Sequence, residues 1–294
     1  MAEVRSPTVR RRELGALLRS FRIEQGLTVE QVAGRLLCSS SKVSRMETGR
    51  RGVTARDMRD LCDLYGITDQ AERDRLMTIA EEGRQQAWWA TYDLNYDRYV
   101  GLEQAALSIR GYQSSVVPAL LQTADYARAS LVGFERQPAP DVIEQRVEAR
   151  LRRQDLLKRK PVPQFWEVLD EAALHRLVGG PQVMRAQLDR LIEACKLSEV
   201  TVQVIPFAVG AHPGLETNFK IVKLPPPAPG VVFVEGLNGA SYMERPEEIE
   251  NFERVFTRLR SVALSAADTI ELIATVRDSL GLWPTHDLSE ISAA

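Results

Sequence analysis

The chain has 294 residues, 44% of them hydrophobic and 27% charged, which is too apolar for a disordered polymer and enough for a small domain plus another of roughly 200 residues. Residues 1–66 carry 13 Lys and Arg against 8 Asp and Glu, a net of +5, whereas the rest carries 25 against 32, a net of −7. A basic front and an acidic body point to a polyanionic partner met at one end only.

Residues 1–9 read as a flexible arm. Arg5 and the run at 10–12 precede no apolar stretch of a secretion signal, and no segment reaches the ~18 apolar residues of a membrane span, so a cytoplasmic protein without membrane attachment is expected. Leu14, Leu17, Leu18 and Phe21 recur at helical spacing and form a first amphipathic helix, ended by Gly26. Thr28, with Gln31 three residues on, caps a second helix whose inner face is Val29, Val32, Ala33 and Leu36. A third helix follows within residues 38–51, opening at a serine and closing at Gly49. Val43 and Met46 face inward; short hydroxyls, Lys42 and Arg45 face outward, a surface small enough to enter a groove and charged to meet phosphate, as a DNA recognition helix requires. Thr54 with Asp57 caps a fourth helix carrying Met58, Leu61, Cys62 and Tyr65 and closed by Gly66. Four short helices in ~60 residues make a compact helix-turn-helix domain, placed at 10–67. A connecting helix, with Ala71, Leu76, Ile79 and Ala80, is expected at 68–85.

The pattern Arg22-x3-Gly26-Leu27-Thr28-x4-Ala33, continued by Ser39-x-Ser41-Lys42-Val43-Ser44-Arg45-Met46-Glu47-x-Gly49-Arg50-Arg51, resembles the XRE (Cro/phage repressor type) helix-turn-helix over residues 10–66. The resemblance implies that Ser40, Ser41 and Arg45 meet base edges, with Lys42 and Ser44 beside them, and that Ser39, Thr48 and Arg50 hold phosphates; Arg51 completes the basic end of the motif. It also implies an ion pair of Arg22 with Glu47 that supports the domain rather than reading DNA. Leu37 stands where that family has Gly in the turn between helices 2 and 3. A non-glycine residue in a left-handed conformation costs about 1 kcal/mol or more, so a changed turn or a less stable domain is expected.

The body, placed at 86–282, opens with Trp88, Trp89, Tyr92, Tyr96 and Tyr99. Too few cations interleave these rings for nucleotide stacking, so core or interface packing is expected. Helices follow at 97–109, 123–133 and 141–158, the last opening a cluster of seven Arg and Lys that runs to Lys160 among acids at helical spacing, a solvated face. From Pro163 the period changes to short β-branched or aromatic runs at 164–169, 200–205, 218–222 and 231–235. Helices at 170–178 and 181–196 between the first two make a strand-helix-strand crossover. Helices at 246–264 and 266–280 precede a flexible tail at 283–294. The fold class is α+β overall: an all-α helix-turn-helix domain followed by a mixed α/β domain with a helical first half and a sheet of about four or five strands.

Chemical motifs are sparse. His175, His212 and His286 stand apart without metal-ligand spacing, and no phosphate loop or nucleophile elbow occurs, so no catalytic residue, metal or cofactor is expected. Asp170 and Glu171 at a strand end, with His212 and Glu235 in loops, are the residues that could line a pocket. Cys38, Cys62 and Cys195 form no CxxC and read as reduced thiols. Arg outnumbers Lys 32 to 6, the bias of GC-rich coding.

Four further stretches carry a resemblance. Leu102-Glu103-x2-Ala106-x2-Ile109-Arg110-x-Tyr112 and Val117-Pro118-x-Leu120-Leu121-Gln122-Thr123-x-Asp125-Tyr126-Ala127-Arg128, with Leu169-Asp170-Glu171-Ala172-Ala173-Leu174 and Val178-Gly179-Gly180, resemble the C-terminal domain of WhiJ-like actinobacterial regulators, across about 75–270. That implies a regulator of development or secondary metabolism, with a small companion protein encoded nearby. The expected partners are double-stranded DNA, a second copy in a homodimer, that companion and a small-molecule ligand. The competing readings are an antitoxin-like protein that neutralises a small partner and autoregulates its operon, and an enzyme targeted to DNA.

Overall fold

The computed structural model describes residues 6–92, 94, 96–134, 139–236 and 239–280. The tail expected at 283–294, His286 with it, lies outside them. The chain forms two compact units, and neither is continuous in sequence. One contains the chain up to Arg110, Arg159–Gln164 and Phe219–Glu253; the other contains Gly111–Lys158, Phe165–Asn218 and the chain from Arg254 onward.

The first unit begins with five helices: α1 Pro7–Glu24, α2 Val29–Arg35, α3 Ser40–Glu47, α4 Ala55–Leu64 and α5 Gln70–Glu82. Each of α2, α3, α4 and α5 starts at a side-chain cap, from Thr28, Ser39, Thr54 and Asp69 respectively, and Thr28 with Gln31 completes a reciprocal capping box. Leu14, Leu18, Val32, Val43, Met46, Met58 and Leu61 are buried together with Leu76, Ile79 and Ala80 of α5. The helix expected to connect two domains is therefore the fifth wall of this core. Of the arm expected at residues 1–9, residues 1–5 lie outside the described residues and the rest differs: Pro7, whose missing N–H suits a first helical position, starts α1, and the buried Ser6 hydroxyl donates to Gly101 O at 2.6 Å.

Helices α1, α2 and α4 end alike. The second residue past each helix cap donates back to a carbonyl five residues earlier: Leu27 N to Arg22 O, Cys38 N to Ala33 O and Ile67 N to Cys62 O. This Schellman closure needs a left-handed residue just before the donor. Gly26 and Gly66 supply it at φ +64 and +67, and Leu37 supplies it at φ +50. Of the two outcomes expected for Leu37, the turn keeps its geometry and the backbone bears the strain.

The same unit continues with α6 Asp97–Glu103, β4 Phe219–Lys223, β5 Val231–Gly236 and β6 Gly239–Met243; β1 Ser108–Gln113 crosses into the second unit. The 97–109 segment is thus a short helix and then a strand, not one helix. β4 and β5 are antiparallel with Ile221 opposite Val232, and β5 and β6 are antiparallel with Phe233 opposite Tyr242. Tyr99 stacks on Phe233 with ring centroids 4.2 Å apart, and Trp89 is buried, so these two members of the aromatic cluster are core packing, while Trp88, Tyr92 and Tyr96 are half-buried.

The second unit holds α7 Ala124–Phe134, α8 Pro140–Arg153, β2 Gln164–Asp170 apart from its first residue, α9 Ala172–His175, α10 Pro181–Ala194, β3 Val200–Ile205 and α12 Ala266–Ser279; α11 Pro246–Val262 enters it at Arg254. β2 and β3 are parallel, Val168 opposite Gln203, with α9 and α10 as the crossover between them. Buried Met184, Leu188 and Leu191 on α10 and Ile273 on α12 pack these helices together. Strand order is β3-β2-β1-β4-β5-β6, a six-stranded mixed sheet; the strands beyond the four expected are β1 and β6. The basic stretch in and after α8 is partly internal: Arg150 and Arg153 are buried, and Arg150 Nη1 donates to Gln122 Oε1 at 3.0 Å.

Leu37 is 93% exposed, so its side chain gains almost no burial to set against the left-handed backbone. Leu37→Gly removes a penalty of about 1 kcal/mol, partly offset by the larger entropy glycine loses on folding. A rise of a few degrees in melting temperature is expected by calorimetry; a fall would show that the turn gains from the side chain.

Candidate nucleic-acid interface

Helix α3, Ser40–Glu47, is eight residues long and falls within the 38–51 stretch expected for it. Ser39 accepts the Lys42 N–H at 3.2 Å and so satisfies one of the free donors at the helix start. Val43 and Met46, each 1% exposed, anchor the inner face. On the opposite face Ser41, Ser44, Arg45 and Thr48 are exposed, with Ser39 before them, Arg50 and Arg51 beyond, and Ser40 half-buried at the first turn. Arg45 is steadied by its own helix, Nε donating to Ser41 O at 3.2 Å, and the Thr48 hydroxyl donates to Ser44 O at 2.9 Å.

Lys42 sits differently. Its ammonium meets Asp57 Oδ1 at 2.7 Å, tying α3 to the first turn of α4. Burial works against the Asp57 charge, but hydrogen bonds from Lys42 and Thr54 outweigh it and hold the carboxyl below its ordinary range.

The C-terminal end of α3 is held from α1. Arg22 Nε and Nη2 donate to the two Glu47 oxygens at 2.6 and 3.0 Å, and Nη1 reaches Leu27 O at 2.9 Å. The bidentate bond to Glu47 raises the Arg22 pKa and fixes it as a cation. A carboxylate at a helix C-terminus opposes the helix dipole, and the guanidinium removes that conflict. The backbones also meet closely: a Cβ on Gly15 would lie 2.5 Å from Glu47 O, and one on Gly49, at φ +66, 2.8 Å from Arg12 Cα. Glycine at both points lets α1 pass directly under the end of α3.

The first unit also holds α1 by its other flank. Arg12 Nη1 donates to Glu244 Oε1 at 2.6 Å, just past β6, and Arg98 of α6 bonds the same oxygen. Sequence periodicity gave no sign of this clasp, since Arg12 and Glu244 are separated by most of the chain.

In the second unit the structure gathers part of the residue set that could line a pocket. His212 Nε2 lies 3.2 Å from Asp170 Oδ2 at the end of β2, the Tyr112 hydroxyl is 3.5 Å from that oxygen, and Gly214 N–H donates to His212 Nδ1 at 3.2 Å. With Nδ1 accepting, the neutral ring carries its proton on Nε2 and donates to Asp170. Burial, then the Asp170 charge, push the Tyr112 phenol upward. Tyr112 was not among the expected residues. Glu171 instead pairs with His175 at 3.1 Å, and Glu235 is exposed on β5. The His212 side chain is 3% exposed, so these bonds close the loop after β3. Among the described residues no group of three or more His, Cys, Asp or Glu could hold a metal ion. None of their helices is long and apolar enough to cross a membrane.

Fold and surface together define a protein with an N-terminal helix-turn-helix domain on a mixed α/β body. Comparison with known families matches a helix-turn-helix domain at residues 13–76 and a domain of unknown function (DUF5753) at residues 96–275. The second match spans more than half of the chain, which belongs to the DUF5753 family. No curated protein and no solved structure matches it.

Glu47→Ala leaves Arg22 mostly buried without its carboxylate, and a loss of about 3 kcal/mol is expected, read as a lower denaturation midpoint of the full chain. Retention of the wild-type midpoint would show the pair to be dispensable. For Asp57, whose folded pKa is depressed, the stabilisation is complete above the ordinary carboxylate range and is lost as pH falls through the folded value, below about pH 4. Asp57→Asn should therefore show a smaller drop in melting temperature from neutral pH to about pH 3 than wild type. An unchanged drop would remove Asp57 from the acid response.

Proposed function

We propose that the protein is a sequence-specific DNA-binding transcription regulator whose recognition element is α3. The observation that carries this reading is the outward serine and arginine face of α3, backed by the buried Arg22–Glu47 bond that fixes the helix end. In it Ser40, Ser41, Ser44 and Arg45 meet base edges in the major groove, and Ser39, Thr48, Arg50 and Arg51 hold phosphates. Lys42, occupied by Asp57, mainly positions α3 against α4 and adds its charge to the field at the groove.

One recognition helix covers only a few base pairs, so genomic specificity calls for a homodimer reading two half-sites about one helical turn apart. The XRE and WhiJ-like resemblances extend the proposal: control of development or secondary metabolism in an actinobacterium, with a companion protein acting through the DUF5753 body. A partner that favours one dimer arrangement changes DNA affinity by its differential binding to the two.

Fluorescence anisotropy with the selected operator and with random duplex tests the assignment. Arg45→Ala is expected to weaken operator binding by about 1–3 kcal/mol and relax preference at one base position, because a bidentate contact is lost. Arg50→Ala should weaken both duplexes alike and lower the salt slope by about 1. Equal losses on both duplexes for Arg45→Ala would overturn its base-reading role.

A further inference from the structure

Under the end of α3, inside the first unit, lies a cavity of about 730 Å³ lined by Arg11, Arg12, Arg50, Arg98, Trp89 and Tyr242. Its volume falls within the roughly 300–1,000 Å³ typical of small-molecule sites. Among the described residues, four guanidinium groups face two carboxylates, Asp97 in the lining and Glu244 shared between Arg12 and Arg98. Arg11 donates to Gly83 O and Thr8 Oγ1, neither of which carries charge, and Arg50 has no ion pair among the described residues. The described residues therefore bring an excess of about two positive charges to a half-desolvated space, an arrangement that an anion would relieve.

Two independent observations agree. Arg12 is 4% exposed, yet its Nε, inside that burial, has no hydrogen-bond partner among the described residues; buried donors are rarely left so. Burial lowers the Arg98 pKa and the charges of Arg12 and Arg50 lower it further against the opposing charge of Glu244, while burial lowers that of Arg11 against Asp97. The aromatic side of the cavity is organised too: the Arg98 guanidinium lies over the Tyr242 ring, 4.1 Å from its centroid, leaving planar surface and guanidinium edges together.

We propose that this cavity binds a small organic anion of nucleotide size, with at least two acidic oxygens of phosphate or carboxylate type, and that the anion competes with DNA for Arg50. Guanidinium forks match both oxyanions bidentately. A duplex phosphate cannot serve, because Arg12 is buried and only a molecule that enters the cavity reaches the groups beside it. The competition rests on the regulator reading above; the binding site does not. Arg50 is exposed at the mouth and cannot hold a ligand and a duplex phosphate together, so ligand and DNA each weaken the other by the same factor.

Calorimetric titration of the full chain with adenosine monophosphate, pyrophosphate and citrate separates the sources. Saturable one-to-one binding of a phosphate compound alone, or of citrate alone, supports the site and names its oxyanion; no saturable binding of any of the three at millimolar concentration overturns it. Arg98→Gln is expected to lose about tenfold in affinity for the bound probe, the worth of one charge-assisted hydrogen bond. Arg98→Lys, which keeps the charge and loses the fork, should lose less while keeping the wild-type melting temperature, so it carries the test if Arg98→Gln fails to fold. Undiminished binding by both variants would overturn the proposal. So would a loss of duplex affinity in Arg98→Gln with no probe present, which assigns the arginines to DNA phosphate. A wild-type chain that binds no duplex at all sinks the regulator reading and leaves the calorimetric result to decide the cavity.

Discussion

The close passage of α1 beneath the C-terminal end of α3 is the constraint on which the first unit depends. Two glycines, at 15 and 49, allow the backbones to touch where any side chain would collide with carbonyl or Cα atoms. The Arg22 fork then locks the contact by neutralising Glu47 at the helix end. Because the approach is set by backbone sterics and the lock by a two-point hydrogen bond, α3 has little freedom to roll. Its polar face is presented by the packing behind it, not by contacts of its own.

The same helix α1 reaches in the other direction. Its N-terminal turns touch α6, where a Cβ on Gly101 would fall 2.2 Å from Thr8 Oγ1, and Arg12 bonds Glu244 beyond β6. Arg12 and Arg98 share that single carboxylate, which leaves the surrounding space positively charged. α1 thus serves two faces of one unit: α3 on one side and the arginine-lined hollow beside the strands on the other. An ion entering the hollow acts on residues adjacent in sequence to Thr48 and Gly49, with no long path to travel.

Local chemistry made the N-terminal helices legible. Thr28, Ser39 and Thr54 are caps because each has a backbone donor three residues on, and the spacing of Val43 and Met46 identifies the inner face of α3; these are interactions within one or two turns. What was not legible depends on distance. β1, Ser-Ile-Arg-Gly-Tyr-Gln, is poor in β-branched residues, and Leu102, Ala106 and Ile109 mimic helical spacing, so tertiary pairing overrides the local pattern. β6, Gly-Ala-Ser-Tyr-Met, is five residues without a β-branched side chain, too weak a local pattern to announce a strand, and it pairs along β5. Lys42 looked like a free cation, since nothing in its own helix reveals Asp57 across the turn. Of the residues that could line a pocket, Asp170 and His212 do meet, but with Tyr112 and inside a closed loop anchor.

The first unit is assembled from three separate pieces of chain, and α1 contributes to both of its faces. A cut after residue 67, natural by the look of the sequence, would strip Leu76, Ile79 and Ala80 from the core of the helix-turn-helix domain and part Arg12 from Glu244. The helix-turn-helix is therefore not a cassette. Grafted onto a foreign body it would arrive with an open flank and an unmatched arginine, so exchange among relatives must carry the strands at 219–243 along with it. Inheritance in such proteins is expected to track the discontinuous unit rather than the span of the motif.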